Sequence, residues 1–316
     1  MQSKIGQALT GRVRRVNICV LHSRHKTMRK LIIMVSIIAV AAIAIYFDGQ
    51  TRDSSEPKIF GPVLKARFLD HSFGNSSLFT MPDGKIIVVD PAGGRGAEAL
   101  LKMLQGEKAK EIDVIVTNPS REYAKALAGL QKSVLISNVI RPELGRATAS
   151  WTKWLRDSKW EDVPETALTR GDVLQFTSQV TLEALNPAKE PEPRGVGSDS
   201  LVFRAKFKNK SILYLSDIDS KGECGLIASG LDLESSVMVA ARNGRYGSNS
   251  LELLSMVRPE MCVVSALRNN APSTSVMDRL DTINTGATLY RSDKDGIIVI
   301  STDGHSMTLL DKGGGY

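Results

Sequence analysis

Short apolar runs alternate with segments of helical period along the first half of the chain. The runs VLKARFLD, EIDVIVTN and VLISNVI predict strands, and LFTMPDGKIIVVD predicts a hairpin that turns at Pro82-Asp83-Gly84. Between these strands, GAEALLKMLQGEK, YAKALAGL and ATASWTKWLRDSKW place apolar residues at helical spacing. This alternation of strand and helix predicts a layered α/β architecture.

The second half of the chain repeats this order of elements, although it does not repeat the sequence. Its predicted strands are GDVLQF, TLEALNP, LVFRAKF, SILYLSD, VMVAA, MCVVSAL, ATLYRS and GIIVIST, and its predicted helices are GECGLIASG and SLELLSMV. The Pro- and Gly-rich segment PAKEPEPRGVGSD predicts a loop between the halves. Two β-rich halves with helices outside predict an αββα four-layer sandwich that occupies residues 59–316.

The most apolar segment is LIIMVSIIAVAAIAIYF, residues 31–47, which contains no charged residue. As a helix it would be about 26 Å long, close to the roughly 30 Å hydrocarbon core of a bilayer. We therefore predict one transmembrane helix at residues 31–47, and a polar linker at residues 48–58 that leads to the folded domain. A cleaved signal sequence is the alternative, because Ala42-Ile43-Ala44 resembles a small-residue cleavage site.

The net charge of +7 is concentrated at the N-terminus. Residues 1–30 contain eight Lys or Arg and no Asp or Glu, which leaves 33 basic and 34 acidic residues in the rest of the chain. By the positive-inside rule, residues 1–30 form a cytoplasmic tail, and the C-terminal domain lies outside the cell membrane. The same orientation holds if Met28 rather than Met1 is the true start. Because the domain is nearly neutral, a nucleic-acid partner would need a local basic patch.

The cysteines and the tryptophans of the predicted domain each allow two interpretations. Cys224 and Cys262 would be able to form a disulfide in an oxidising compartment, but the CxxC spacing typical of zinc sites is absent. Three tryptophans near one predicted helix indicate a packed helix face, and a stacking surface for nucleic acid is the alternative. These residues are Trp151, Trp154 and Trp160.

The segment VLKARFLDHSFGNSSLFTMPDGKIIVVDPAGG resembles the opening of the metallo-β-lactamase domain found at the end of ComEC-type competence proteins. In that family an apolar strand ends in LDVGQGD, and a TPDG hairpin and an LIDAG strand end follow. The residues in register are Leu69, Asp70, Gly74, Pro82, Asp83, Gly84, Asp90, Ala92 and Gly93. The later segments SDSLVFRAKF, ILYLSD and YRSDKDGIIVI follow the family's order, so the resemblance covers residues 63–310. It implies a metallo-β-lactamase-like αββα sandwich.

The family's chemistry depends on histidines that this chain lacks. An HxHxDH motif supplies imidazole and carboxylate ligands to one or two zinc ions, which activate a water molecule. By the resemblance, its four positions are occupied here by Asn118, Ser120, Glu122 and Tyr123. The HHGS motif corresponds to Arg242, Asn243, Gly244 and Arg245, and the late HPHP segment has Ser273 at its third position. Asp217 is the one retained ligand, because His22, His25, His71 and His305 all lie elsewhere.

These replacements predict a pseudo-hydrolase without catalytic residues, bound metal or other cofactor. A hard ion such as Mg²⁺ or Ca²⁺, held by oxygens of Asp217, Glu122 and Asn118, is the alternative for the metal site. The corresponding alternative function is a ComEC-like metal-dependent nuclease or phosphodiesterase, or an accessory of DNA uptake. Asp217 is otherwise interpreted as a strand-end residue that hydrogen-bonds loop amides.

Arginine replaces histidine in the predicted pocket. A guanidinium is a permanent cation whose planar fork suits phosphate or carboxylate, so Arg242, Arg245 and Arg268 are the candidates for binding an anion. The alternative is that these arginines pair with Glu122, Asp217 or Asp90 and fill the vacated site. The leading prediction is a membrane-anchored, extracytoplasmic protein with a ligand-binding or scaffolding role, whose partner is an anionic ligand or another envelope protein.

Overall fold

The computed structural model describes Met34 and residues 61–69, 76–91, 95–118, 127, 129–143, 163–189, 197–266, 271–283 and 286–312. The chain separates into two compact units, Met1–Lys58 and Ile59–Tyr316. Within the part that is described, no helix is long and apolar enough to cross a bilayer. Apart from Met34, the predicted tail, transmembrane helix and linker lie outside the described residues, so they stay predictions.

The described residues form fifteen strands and five α-helices. The strands are β1 (Leu64–Phe68), β2 (Ser77–Thr80), β3 (Ile86–Val89), β4 (Glu111–Ile115), β5 (Leu135–Pro142), β6 (Glu165–Leu168), β7 (Val173–Gln175), β8 (Val180–Asn186), β9 (Val202–Phe207), β10 (Lys210–Tyr214), β11 (Val237–Val239), β12 (Met261–Val264), β13 (Thr288–Arg291), β14 (Ile298–Thr302) and β15 (Met307–Lys312). The helices are α1 (Arg95–Gly106), α2 (Ser220–Ile227), α3 (Leu251–Val257), α4 (Thr274–Ile283) and α5 (Ser292–Asp295), and Ala241–Gly244 form a 3₁₀ turn.

The strands form two sheets that share one pairing pattern. The first sheet has the order β15-β14-β1-β2-β3-β4-β5-β6, and the second has the order β13-β12-β11-β10-β9-β8-β7. In sheet order, the neighbouring strands β14-β1-β2-β3 of the first sheet and β7-β8-β9-β10 of the second sheet are antiparallel. From β3 to β6 and from β10 to β13, they are parallel. The repeated order of elements in the sequence therefore corresponds to a repeated sheet topology, to which β15 is added.

Three apolar clusters define the layers. Between the sheets, Phe68 and Phe79 of the first sheet belong to the same buried cluster as Phe203 and Tyr214 of the second. A second cluster joins the outer face of the first sheet to α1, and a third joins the outer face of the second sheet to α2, α3 and α4. All residues of β3 and β11 are buried because helices and the opposite sheet cover both faces, which explains their continuously apolar sequences. This two-sheet α/β architecture agrees with the predicted metallo-β-lactamase-like αββα sandwich.

The sequence analysis missed four of the helices and strands, one of which is the short helix α5 between two correctly predicted strands. Helix α4 was not predicted, although Ser273 precedes it and its buried residues Val276, Met277 and Leu280 follow helical spacing. Strands β6 and β15 were also missed, because neither has the strict alternation that marks a half-buried strand. Cys224 on α2 and Cys262 on β12 form no disulfide. The three tryptophans and the predicted helix that bears them lie outside the described residues.

Candidate functional site

The candidate site lies where the carboxyl ends of strands from both sheets meet. Asp90 follows β3, Asn118 follows β4, Asp217 follows β10 and Arg242 follows β11. In each sheet, this is the position where antiparallel pairing changes to parallel pairing. Ligands of open α/β sheets bind in crevices outside the carboxyl ends of the strands, so the topology favours this edge as a binding site.

Asn118 and Asp217, both of which the family resemblance assigns to the pocket, meet across the two sheets. The Asn118 side-chain amide donates to Ser200 Oγ at 3.3 Å and to Asp217 Oδ2 at 3.5 Å. Asn118 is buried and Asp217 is half-buried. These contacts place one amide and one carboxyl at the centre of the site.

Asn118 and Arg242 occupy equivalent positions in the two halves. Val116 N donates to Ile140 O in the first sheet, just as Ala240 N donates to Val263 O in the second. Asn118 and Arg242 each come two residues after these donors. The two halves therefore present different chemistry at the same topological position, because one contributes a neutral amide and the other a cation.

A buried chain of polar groups connects the sheets beneath the site. Thr117 donates to the Asp90 carboxylate from its backbone nitrogen at 2.7 Å and from its hydroxyl at 2.5 Å. Since a hydroxyl has a single proton, Ser216 Oγ donates to Thr117 Oγ1. Burial raises the pKa of Asp90 to about 8, against the opposing effect of the two hydrogen bonds from Thr117. The sequence did not predict Thr117 or Ser216, although both are polar residues that directly follow an apolar strand.

Asp217 lies within electrostatic reach of the two arginines but is not paired with them. Burial raises the pKa of Asp217, and the positive charges of Arg242 and Arg245 partly oppose this effect. Over the described ranges, no ion pair joins either arginine to Asp217 or Asp90. The charges of the two arginines are therefore not neutralised by direct contact with these two carboxyl groups.

The segment that carries the arginines, residues 241–250, is here called the arginine loop. Its backbone is left-handed at Arg242 (φ 53°), Asn243 (φ 57°) and Asn249 (φ 56°). Non-glycine residues held in this region cost of order 1–3 kcal/mol each, and they persist only where the surrounding structure fixes them. The strain in this loop therefore requires strong anchoring.

The two predicted pocket residues Asn243 and Ser273 anchor the arginine loop. Asn243 donates from its side-chain amide to Ser265 O at 2.7 Å, and Ser273 N donates to Gly244 O at 3.0 Å. Arg242 N donates to Ser216 O at 2.7 Å, which connects the loop to the end of β10. Asn243 and Ser273 thus have a role in holding the loop, whether or not they also contact a ligand.

A second set of anchors, which the sequence did not predict, holds the far end of the loop. The buried Glu223 carboxylate accepts from Asn249 N at 2.7 Å and from Ser250 N at 2.8 Å. The Asn249 side chain accepts from Ala241 N at 2.9 Å and donates to Ala241 O at 3.1 Å. Arg279 of α4 donates to Asn249 O at 2.9 Å. The loop is closed on itself and fixed to two helices.

The apex of the arginine loop faces solvent. Arg245 is exposed, Arg242 is half-buried, and Tyr246 is 77% exposed. In the described structure, the Arg242 guanidinium makes one hydrogen bond, a long one of 3.4 Å from Nη1 to Tyr246 O. Most of its five donors are therefore available to a ligand. The other predicted site residues, Ser120, Glu122, Tyr123 and Arg268, lie outside the described residues.

The donor set does not fit the zinc ions that the family resemblance implies. Zinc in proteins is bound by imidazole, thiolate and carboxylate groups. Among the described residues, the site presents the Asn118 amide and the Asp217 carboxyl, and the nearby Arg242 and Arg245 would repel a cation. Where the chain is described, no three His, Cys, Asp or Glu side chains lie close enough to share a metal ion.

Sequence comparison connects the chain to a competence protein. No protein-family model matches it. The chain is 23% identical over 207 residues to ComE operon protein 3 of Bacillus subtilis (strain 168), a match that covers 64% of this chain and 26% of that protein. The match therefore spans about a quarter of the length of that relative. It confirms the resemblance to ComEC-type proteins that the sequence predicts.

Structure comparison returns proteins of low sequence identity. A mutant of the CmlA β-hydroxylase is 13% identical with a TM-score of 0.49, over 75% of this chain and 53% of that one. Zn²⁺-bound PqqB from Methylobacterium extorquens is 12% identical with a TM-score of 0.44, over 69% and 85% of the two chains. The BLEG-1 B3 metallo-β-lactamase is 15% identical with a TM-score of 0.33, over 61% and 83%.

Proposed function

We propose that this chain is a membrane-anchored, non-catalytic relative of the ComEC-type metallo-β-lactamase domain that binds an anionic ligand outside the cell membrane. Arg242 and Arg245 hold the anion at the carboxyl ends of β4, β10 and β11. The protein acts through binding, either as a receptor for a small anion or as a scaffold that engages an envelope partner through the same loop.

One observation carries the proposal. At the edge where the two sheets meet, the second half of the chain presents Arg242 on a strained and firmly anchored loop, and its guanidinium makes one long hydrogen bond to the described residues. A cation at this position opposes metal binding but favours an oxyanion, which a guanidinium recognises with two parallel hydrogen bonds. The site thus supports retention of an anion better than hydrolysis through metal-activated water.

The location outside the membrane rests on the N-terminal sequence. Residues 31–47 are uncharged and long enough to cross a bilayer, and residues 1–30 before them contain eight basic and no acidic residues. Deletion of residues 31–47 is therefore expected to move the protein from a carbonate-resistant membrane fraction to the soluble fraction. Unchanged fractionation of the deletion variant would contradict the anchor.

Binding of inorganic phosphate to the purified full-length protein, measured by isothermal titration calorimetry, tests the anion site. A hydrogen bond to a charged group contributes roughly 1.5–3 kcal/mol, so Arg242→Ala is expected to weaken phosphate binding about ten- to a hundredfold. Arg258→Ala is the matched control, because Arg258 is also left-handed (φ 45°) but exposed on another loop, and it should leave binding unchanged. Equal affinity of Arg242→Ala and wild type would overturn the proposal.

The similarity to ComE operon protein 3 supports a second candidate, a metal-dependent nuclease or phosphodiesterase. Metal analysis of the same full-length protein, with a phosphodiesterase assay in added Zn²⁺, Mn²⁺ or Mg²⁺, separates the two. We expect substoichiometric metal and no turnover with any of the three ions. Stoichiometric metal together with turnover would replace the binding function with the enzymatic one.

A further inference from the structure

We propose that the anion bound by the arginine loop is joined to a planar ring, which packs against Tyr246. This inference rests on the proposed function, because it names the class of ligand that the same site takes. The ligand thus has two parts, an oxyanion held by Arg242 and Arg245, and a ring covered on one face by the tyrosine.

The exposure of Tyr246 is unusual within the domain. In the described part of residues 61–312, four large apolar side chains are exposed, at Leu135, Val173, Tyr246 and Leu251. Tyr246 has the highest exposed fraction of the four, 77%, and it directly follows Arg245. Leu251, 48% exposed, begins the helix that follows the arginine loop. Tyr246 and Leu251 thus place exposed apolar surface within and directly after the loop that carries the two arginines.

The Arg242 guanidinium lies against the backbone next to the tyrosine. Arg242 Nη1 is 3.4 Å from Tyr246 O, and a Cβ atom at Gly247 would lie 3.3 Å from the same nitrogen. Gly247 has a φ of +88°, so a glycine at this position serves both the turn and the close approach of the guanidinium. An anion on Arg242 is thereby placed beside residue 246, within reach of a ring attached to that anion.

The loop is built in advance of binding. Glu223, Asn249 and Arg279 fix its far end, and Asn243 fixes its start through Ser265. A tyrosine side chain has two rotatable angles, so it offers a large contact area at a low cost in conformational entropy. A fixed backbone that presents two arginines and one tyrosine to solvent loses little freedom when it binds, which favours recognition of a small rigid ligand.

Calorimetry on the full-length protein with three probes tests the inference. The probes are inorganic phosphate, phenyl phosphate and cyclohexyl phosphate. Stacked aromatic pairs make contributions that correspond to about two- to tenfold in affinity, so phenyl phosphate should bind tighter than the other two probes by that factor. Tyr246→Ala should abolish this preference and leave inorganic phosphate binding unchanged, whereas Tyr246→Phe should keep it. Val173→Ala, at an exposed apolar residue of β7, is the control and should retain the preference.

The outcomes separate this inference from the proposed function. If wild type binds the three probes equally, or if Tyr246→Ala keeps the preference for phenyl phosphate, the ring contact is wrong while the anion site stands. Equal binding of phenyl and cyclohexyl phosphate would overturn the requirement for a planar ring. If wild type binds none of the probes, the anion site and the ring contact are both overturned.

Discussion

Asp90→Asn tests whether a buried carboxyl makes the stability of the domain depend on pH. Asp90 is 1% exposed, and its two oxygens accept hydrogen bonds from Thr117 N and Thr117 Oγ1. Asparagine has nearly the same shape, and its carbonyl oxygen can accept from Thr117 N. Its NH₂ group can donate to Thr117 Oγ1, whose proton then turns toward Ser216. The substitution thus removes the ionisable group and keeps both hydrogen bonds to Thr117.

The stabilising contribution of Asp90 decreases as pH rises, because the pKa of this carboxyl is raised in the folded protein. Burial raises the pKa of Asp90 from its ordinary value of 3.8 to about 8, so the folded protein retains a proton that the unfolded chain has lost. The contribution of Asp90 to the free energy of unfolding is fully present below about pH 4 and falls as pH rises toward 8. One bound proton corresponds to a slope of about −1.4 kcal/mol per pH unit between these limits. Above about pH 9, this contribution is constant.

Urea denaturation of wild type and Asp90→Asn, followed by circular dichroism between about pH 5 and pH 9, measures the effect. The free energy of unfolding of the variant minus that of wild type should rise by about 1.4 kcal/mol per pH unit up to pH 8 and then level off. Asp278→Asn makes the same chemical change at an exposed position on α4 and is the control. Parallel stability curves for wild type and Asp90→Asn would refute the reasoning.

Three further substitutions test the site and its anchors. Glu223→Gln replaces one of the two oxygens that accept from Asn249 N and Ser250 N with an NH₂ group. One of these backbone amides then has no acceptor, so the free energy of unfolding should fall by about 1–3 kcal/mol in urea denaturation. Gly244→Ala places a Cβ atom 3.0 Å from Pro272 Cβ, whereas Gly230→Ala, at an equally left-handed position, meets nothing within 4 Å. Gly244→Ala should therefore lower the free energy of unfolding by roughly 1–3 kcal/mol more than Gly230→Ala. Equal decreases for the two variants would contradict the steric explanation. Asp217→Asn removes a negative charge near the arginines, so sulfate should bind severalfold tighter by calorimetry. That gain should grow with pH, because the raised pKa keeps Asp217 partly neutral at low pH.

The strands that are buried on both faces could be predicted, because such burial requires a continuous run of apolar residues in the sequence. Strand β3 consists of four buried apolar residues, and the hairpin before it turns at Pro82-Asp83-Gly84, which includes a left-handed glycine. Helix α4 was missed because its apolar face, where its side chains are described, consists of only three buried residues, Val276, Met277 and Leu280, among polar and charged residues. Local periodicity is therefore clear where the apolar face extends over several turns, and is easily missed in a short, mostly polar helix.

The centre of the candidate site was partly predictable, but its supports were not. The resemblance to the ComEC-type family assigned Asn118 and Asp217 to the pocket, and the structure brings them together. Glu223 reaches the backbone of Asn249 across 26 residues, and Thr117 reaches Ser216 across 99. Such contacts depend on how the strands and helices pack, and no spacing within one segment reveals them.

The position of β14 has a consequence for how the chain is made. This strand comes from the C-terminal part of the chain, yet it pairs with β1, so that Leu64 lies opposite Thr302. During synthesis from the N-terminus, β1 to β6 emerge long before the strand that covers the free side of β1. Until then β1 is an edge strand with unpaired backbone groups and alternately buried apolar residues, the kind of surface that favours aggregation. The first half of this protein therefore depends on the last residues of the second half to complete its own sheet.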